Sequence, residues 1–368
     1  MVAPERKRRT PRWAVLCAAF GALLMVTSGS VLIAAEVMSA RISGAITQGD
    51  LFGEEDDEHY GEDIEGPLTF LLAGLDTRPS RPEEPPRADS VMLLHVPAEM
   101  DRGYLISLPR DALVEIPAFP ETGYLGGQDR LNSAMFLGAR QQAGEELPNL
   151  ERGFRLLAQT VGQLTGVERF DAGAVIQFEG FVEVVDALGG ITVELDEEIY
   201  SRHRHPDGSH RPLNPHGEGY LGEQAYYPAG VNELEGWQAL DISRQRYGVD
   251  GSDFGRQQLQ QMVLKAMLEK AVSRDMLTNP VALDRTVQAA GDALVFDGRG
   301  NDPIDFAFAL RDLRPGQLTQ VTLPAENVGE GSAYQGEALL PEALELFSAL
   351  RHGQLDQFIL ENPDFVVD

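Results

Sequence analysis

Three runs of almost uninterrupted apolar residues, "LTFLLAGL" (68–75), "SVMLLHV" (90–96) and "GYLISL" (103–108), constrain the fold more than any other feature of this 368-residue chain. A strand with one wet face alternates apolar and polar side chains. These runs do not, so both faces are expected to be buried and the strands to lie centrally in a sheet covered by helices. The link between the second and third, "PAEMDRG", is too short for a crossover and forces them antiparallel. Downstream, "ERGFRLLAQTVGQLTG" (151–166) has helical periodicity and stops at Gly166, and "AGAVIQF" predicts a strand. "EGFVEVVDALGG" predicts a helix with Gly189 and Gly190 at its C-cap, and "ITVEL" another strand. That alternation predicts α/β layers.

Strand direction then says where charge gathers. If the first run points up, it ends at the top with Asp76 and Arg78. The second points down and begins at the top just after Arg87 and Asp89, and the third points up again and ends with Arg110 and Asp111. All of these residues therefore converge on one sheet edge. Asp76 with Arg78, and Arg87 with Asp89, are two apart, so in extended chain each pair projects to one side. Guanidinium forks among carboxylates suit a phosphate or pyrophosphate whose charge is shared between arginines and a carboxylate-held divalent cation. The competing reading is a set of surface ion pairs tying loop ends together, which contribute little.

A formal net charge of -28 argues against a nucleic-acid partner, which requires a broad cationic face. Lysine occurs only at Lys7, Lys265 and Lys270, so almost all positive charge is arginine, the side chain that grips phosphate two oxygens at a time. The single cysteine, Cys17, gives no disulfide framework and no cysteine-type zinc site. It lies in the uncharged run Trp13–Ala35, which at about 1.5 Å per residue covers the roughly 30 Å of bilayer hydrocarbon. Residues 1–12 are a basic tail (Arg6, Lys7, Arg8, Arg9, Arg12), so the positive-inside rule places them in the cytoplasm and the rest of the chain outside. A cleaved signal peptide is the rival reading. Residues 36–66 read as an acidic extracytoplasmic spacer, and the globular part as starting at Pro67.

Residues 200–230 form a long His-, Pro- and Gly-rich loop, in which His203, His205, His210 and His216 stand at spacing too irregular to favour zinc. Helices "LEGWQALDI" and "FGRQQLQQMVLKAMLEKAV" follow, the second with Asp253 as its N-cap. Arg244 and Arg246, two apart on an extended exit from the first helix, can face one anion, with Arg256 beyond them. The tail adds a helix, the strand "LTQVTLP" and a last helix near "PEALELFSALRHG".

The segments "LLAGLDTR", "RADSVMLLHV", "SLPRD", "RLNSAMFLG", "FVEVVDALGGI" and "SRQRYGVDGSDFGRQQ", in this order, closely resemble the LytR-CpsA-Psr family over residues 67–275. Residues 276–368 are left as a C-terminal extension packed on the same domain. The resemblance implies a three-layer α/β/α fold with a mixed central sheet and a greasy tunnel for a lipid tail. It implies a phosphotransferase anchored in the cell membrane by one transmembrane helix (13–35), with its catalytic domain extracytoplasmic. Such an enzyme moves an anionic glycopolymer from a polyprenyl-pyrophosphate carrier to peptidoglycan with Mg²⁺ (or Mn²⁺). Residue by residue, it implies metal-binding carboxylates at Asp76 and Asp89 and catalytic roles for Asp76, Arg78, Asp89, Arg110 and Asp111. Pyrophosphate contacts are implied for Arg78, Arg87, Arg110, Arg244, Arg246 and Arg256. Leu259 stands where the family pattern has a further arginine. The alternative from another class is a non-catalytic polyprenyl-pyrophosphate-binding regulator of envelope assembly.

Overall fold

The computed structural model describes residues 46–367 except 54–62, 78–80, 217–218, 246–252, 272, 274–275, 277–278, 312 and 314. At its centre is the expected meander. Strands β1 (Thr47–Gln48), β2 (Leu68–Asp76), β3 (Arg87–Val96), β4 (Gly103–Leu108), β5 (Ala172–Gln177), β6 (Leu294–Asp297), β7 (Leu318–Thr322) and β8 (Val366–Val367) form one eight-stranded sheet. Their order is β1-β6-β5-β2-β3-β4-β7-β8. β2, β3 and β4 pair antiparallel, while β5 joins β2 and β7 joins β4 in parallel, so the sheet is mixed. Leu71, Leu93 and Ile106 are fully buried, as continuous apolar runs require.

Two cores flank the sheet. On one side Leu71, Leu75, Val91 and Ile106 pack under α1 (Leu131–Gly138) and α2 (Leu150–Thr165). Asn149 caps α2 by accepting from the Arg152 N–H at 2.8 Å, and Gly166 ends it at φ 71°. Glycines let the two helices touch: a Cβ on Gly138 would lie 2.7 Å from the Arg152 carbonyl, and one on Gly153 2.8 Å from that of Met135. On the other side α3 (Phe178–Ala187), α4 (Gly236–Ser243), α5 (Asp253–Ala271) and α6 (Pro280–Ala293) build a second core around Val185, Ile242 and Val263. "ITVEL" pairs not with the sheet but antiparallel with Gly230–Leu234 in a separate two-stranded sheet, burying Ile191, Val193 and Leu195 on one face.

The structure moves the domain boundaries. The compact unit begins at Ala45, well before Pro67. Thr47 pairs with Val295, Leu51 is fully buried, and the Leu51 N–H donates to Asp297 Oδ2 at 2.8 Å. Acidic neighbours disguise this short apolar anchor as spacer. Likewise β6, β7 and β8 come from residues after 275, so the C-terminal part supplies strands of the same sheet rather than only packing on it. The run Trp13–Ala35 lies outside the described residues, among which no helix is long and apolar enough to cross a membrane.

Candidate active site

Asp76 and Arg87 sit directly opposite each other at the upper end of β2 and β3. Just below, Gly74 pairs with Ser90 but Leu75 with Ala88, leaving Asp89 as the extra residue of a β-bulge. The bulge alters which way the strand's side chains point. Ala88 and Val91 both face the core under α1 and α2, and the two residues between them divide: Ser90 faces the opposite side of the sheet, and Asp89 a charged pocket.

That pocket, about 360 Å³, is lined by Asp76, Arg87, Asp89, Arg110 and Asp111, joined by Arg81, Glu84, Arg130 and Asn132. Arg110 Nη1 lies 2.5 Å from Asp89 Oδ1, and its Nε 3.6 Å from Asp111 Oδ2. Asp111 also accepts from Asn132 Nδ2 at 3.3 Å and lies 3.5 Å from Arg130 Nη1. Arg87 Nη1 donates to Asn132 Oδ1 at 3.4 Å and to Ser133 Oγ at 3.0 Å, its guanidinium 4.7 Å from the Phe136 ring centre. Arg244 arrives from the C-terminal end of α4, with Nη2 3.6 Å from Asp76 Oδ1.

The structure thus brings Asp76, Arg87, Asp89, Arg110, Asp111 and Arg244 together. Arg256 is buried in α5. Leu259, one turn on, is core, packed with Val185 and Val263. Arg78 and Arg246 lie outside the described residues. α5 begins at Asp253, whose side chain likewise lies outside the description.

Sequence reasoning missed Arg130, Asn132 and Ser133. Backbone pairing places them: the N–H groups of Leu131 and Asn132 donate to the carbonyls of Ala112 and Arg110, both at 2.9 Å, locking the start of α1 to the chain leaving β4. "Arg-Leu-Asn-Ser", an N-cap and the first turn of an apolar helix, is the signal that marks them.

An apolar cavity of about 200 Å³ occupies the other face of the same strands. Leu72, Gly74, Ser90 and Met92 floor it, while Phe178, Phe181, Leu240, Val263 and Met267 close it from α3, α4 and α5. A Cβ on Gly74 would lie 3.2 Å from that of Ser90, narrowing this floor. Arg244, 3.6 Å from the pocket carboxylate Asp76, also stacks its guanidinium 5.0 Å from the ring centre of cavity-lining Phe178. Along β2, cavity-lining Gly74 and pocket-lining Asp76 are two residues apart; along β3, Ser90 and Asp89 are adjacent.

Of the loop histidines, His203 packs edge-on against Tyr220 with ring centres 4.9 Å apart. Burial, then the charges of Arg244 and Arg202, push His203 below its ordinary range; burial, Arg204 and Arg244 do the same for His210. Among the described residues no three His, Cys, Asp or Glu side chains form a metal-binding group. Asp76 and Asp89 do share one pocket, and two carboxylates fit Mg²⁺ when substrate phosphates and water supply its remaining oxygens.

Relatives carry related names. The cell wall biosynthesis protein LcpA of Corynebacterium glutamicum is 25% identical over 86% of this chain and 60% of its own length. The polyisoprenyl-teichoic acid–peptidoglycan teichoic acid transferase TagU of Enterococcus faecalis is 27% identical over 68% of this chain and 70% of its own. The chain thus spans less than two thirds of LcpA, and under half of the Streptococcus mutans biofilm regulatory protein A, at 48%. Bacillus subtilis TagU shares the fold with a TM-score of 0.53 at 20% identity, over 79% of this chain and 97% of that one. So does TagT bound to LI-WTA, with 0.53 at 20% over 84% and 98%. Residues 37–349 match the LytR_cpsA_psr family, and with these strands, this pocket and these motifs the chain belongs to it.

Proposed function

We propose that this protein is a membrane-anchored phosphotransferase that moves an anionic glycopolymer from a polyprenyl-pyrophosphate carrier to a hydroxyl of peptidoglycan. One observation carries the reading: a charged pocket and an apolar cavity adjoin along β2 and β3, as an amphiphile with a pyrophosphate head and a prenyl tail requires. The run Trp13–Ala35 supplies the membrane anchor, with the folded domain outside.

The pocket's charges suit this ligand. Arg81, Arg87, Arg110 and Arg130 stand against Asp76, Glu84, Asp89 and Asp111, so the lining is balanced and takes up a doubly negative pyrophosphate diester best together with a divalent cation. Asp76 and Asp89 would hold Mg²⁺, which would supply neutralisation of the charge on the phosphate oxygens. The residues themselves position the reactants, which is most of what phosphoryl transfer needs. Arg87 and Arg110 grip the pyrophosphate, held by Asn132 and Ser133 and by Asp89 respectively. The acceptor oxygen bonds to the sugar-linked phosphorus, the bridging P–O bond breaks, and polyprenyl phosphate leaves. Asp76, Asp89 and Asp111 are the pocket carboxylates that can accept the hydroxyl proton, each already beside an arginine.

The test is release of polyprenyl phosphate from a lipid-pyrophosphate sugar by the purified protein with Mg²⁺. Arg110→Ala and Asp89→Asn should each lower turnover about 100-fold or more, as removal of a preorganised charge does. Unchanged turnover in both would sink the proposal. Lipid that copurifies but is never turned over would instead establish the non-catalytic binder.

A further inference from the structure

Beneath Arg244 lies a buried polar network in which the pyrophosphate pocket has no direct share. Gln245 is 1% exposed, and its amide is engaged at both ends. Nε2 donates to Asp241 Oδ1 at 2.9 Å and to the Asp241 carbonyl at 3.0 Å, while Oε1 accepts from the Arg202 N–H at 3.1 Å. Asp241, 4% exposed, also accepts at Oδ2 from the Tyr227 hydroxyl at 3.0 Å. Ser201, fully buried, accepts from the Arg204 N–H at 2.9 Å and lies 3.5 Å from Gln245 Nε2. The end of α4 and the loop from Ser201 to Tyr227 are therefore clamped around one side-chain amide.

The consequence for Arg244 is geometric. With Gln245 drawn inward, its neighbour is turned out, 42% exposed, onto Phe178 and towards Asp76. We propose that Gln245 and Asp241 are positioning residues that aim Arg244 into the charged pocket, and that the loop carrying Ser201 and Tyr227 is the mount. This deepens the proposed function, and it rests on that reading for the identity of the anion.

Tyr227, Arg204, His210 and Arg244 are the titratable and charged groups facing Asp241. Burial pushes the Asp241 carboxyl up, opposed by hydrogen bonds from Ser201 and Tyr227 and by the charges of Arg204 and Arg244. A second carboxyl placed against it ionises only at raised pH, so on acidification the two share one proton and at higher pH both are charged and repel.

Gln245→Glu, nearly isosteric, therefore breaks the clamp at alkaline pH, where both carboxyls are charged, and restores one donor on acidification. The probe is inorganic pyrophosphate with Mg²⁺, titrated calorimetrically at temperatures where circular dichroism shows every variant folded. Its Kd should rise about tenfold in Gln245→Glu at the higher pH, the worth of one charge-assisted hydrogen bond, and recover on acidification. Adding Gln245→Glu to Arg244→Ala should cost nothing further, because both remove the same contact. Additive losses, or an unchanged Kd in folded Gln245→Glu, would overturn the proposal. If the wild type binds no pyrophosphate, the functional reading fails instead. The Arg244 Nε–H order parameter by NMR still decides: lower in Gln245→Glu supports the mount, and equal to wild type overturns it.

Discussion

His95 lies low on β3, the strand whose upper end carries Arg87 and Asp89. The side chain is 5% exposed, with Nδ1 3.0 Å from Thr69 Oγ1. Burial lowers its pKa to about 4, against the opposing charge of Asp356. The unfolded chain protonates this imidazole near its ordinary value of 6.5, whereas the native protein resists until about 4. As pH falls through that window the unfolded state binds more protons, so stability present above it is lost. At about 1.4 kcal/mol per pH unit the full loss is about 3 kcal/mol. His95→Asn keeps a polar group towards Thr69 but does not titrate. Urea unfolding at a series of pH values should show a variant less stable at neutral pH, as a smaller side chain leaves a void, yet with a shallower decline on acidification. The two curves should converge by about 3 kcal/mol between pH 6.5 and 4. Parallel curves would refute the argument that His95 is held neutral.

Gly153→Val should drive α1 away from α2, since even its Cβ meets the Met135 carbonyl at 2.8 Å. The expected cost is about 1–3 kcal/mol, read as a lower thermal midpoint, with weaker pyrophosphate binding because α1 carries Asn132 and Ser133. Met267→Trp should fill the apolar cavity, raising KM about tenfold or more for a long-chain lipid donor while leaving a short-chain donor's KM unchanged.

Continuous apolar runs with a short turn admit only one pairing, which is why the meander and the meeting of Asp76, Arg87, Asp89, Arg110 and Asp111 were legible in the sequence. Other features were not. The bulge at Asp89 breaks the two-residue alternation, and nothing local in "RADS" marks where the register slips. The pairing of Thr47 with Val295 and of Leu318 with Gly103 joins segments more than two hundred residues apart, which periodicity cannot see. Arg256 reads as one more cation in an arginine-rich stretch, yet helical phase buries it in α5 beside Gln257. The same phase places Leu259 in the core. Arg130 and Asn132 stand in "RLNSAMFLG" without local sign of a role, because their place at the pocket depends on the hairpin between Leu113–Ile116 and Gly127–Arg130.

The central claim is that one molecule spans both spaces, its head in the charged pocket and its tail in the cavity. Photocrosslinking with a polyprenyl pyrophosphate that carries a diazirine on its tail tests this most directly. The account predicts adducts on Phe181, Val263, Leu264 or Met267, displaced by inorganic pyrophosphate with Mg²⁺. Adducts elsewhere on the domain, or adducts at these residues that pyrophosphate leaves untouched, would contradict it.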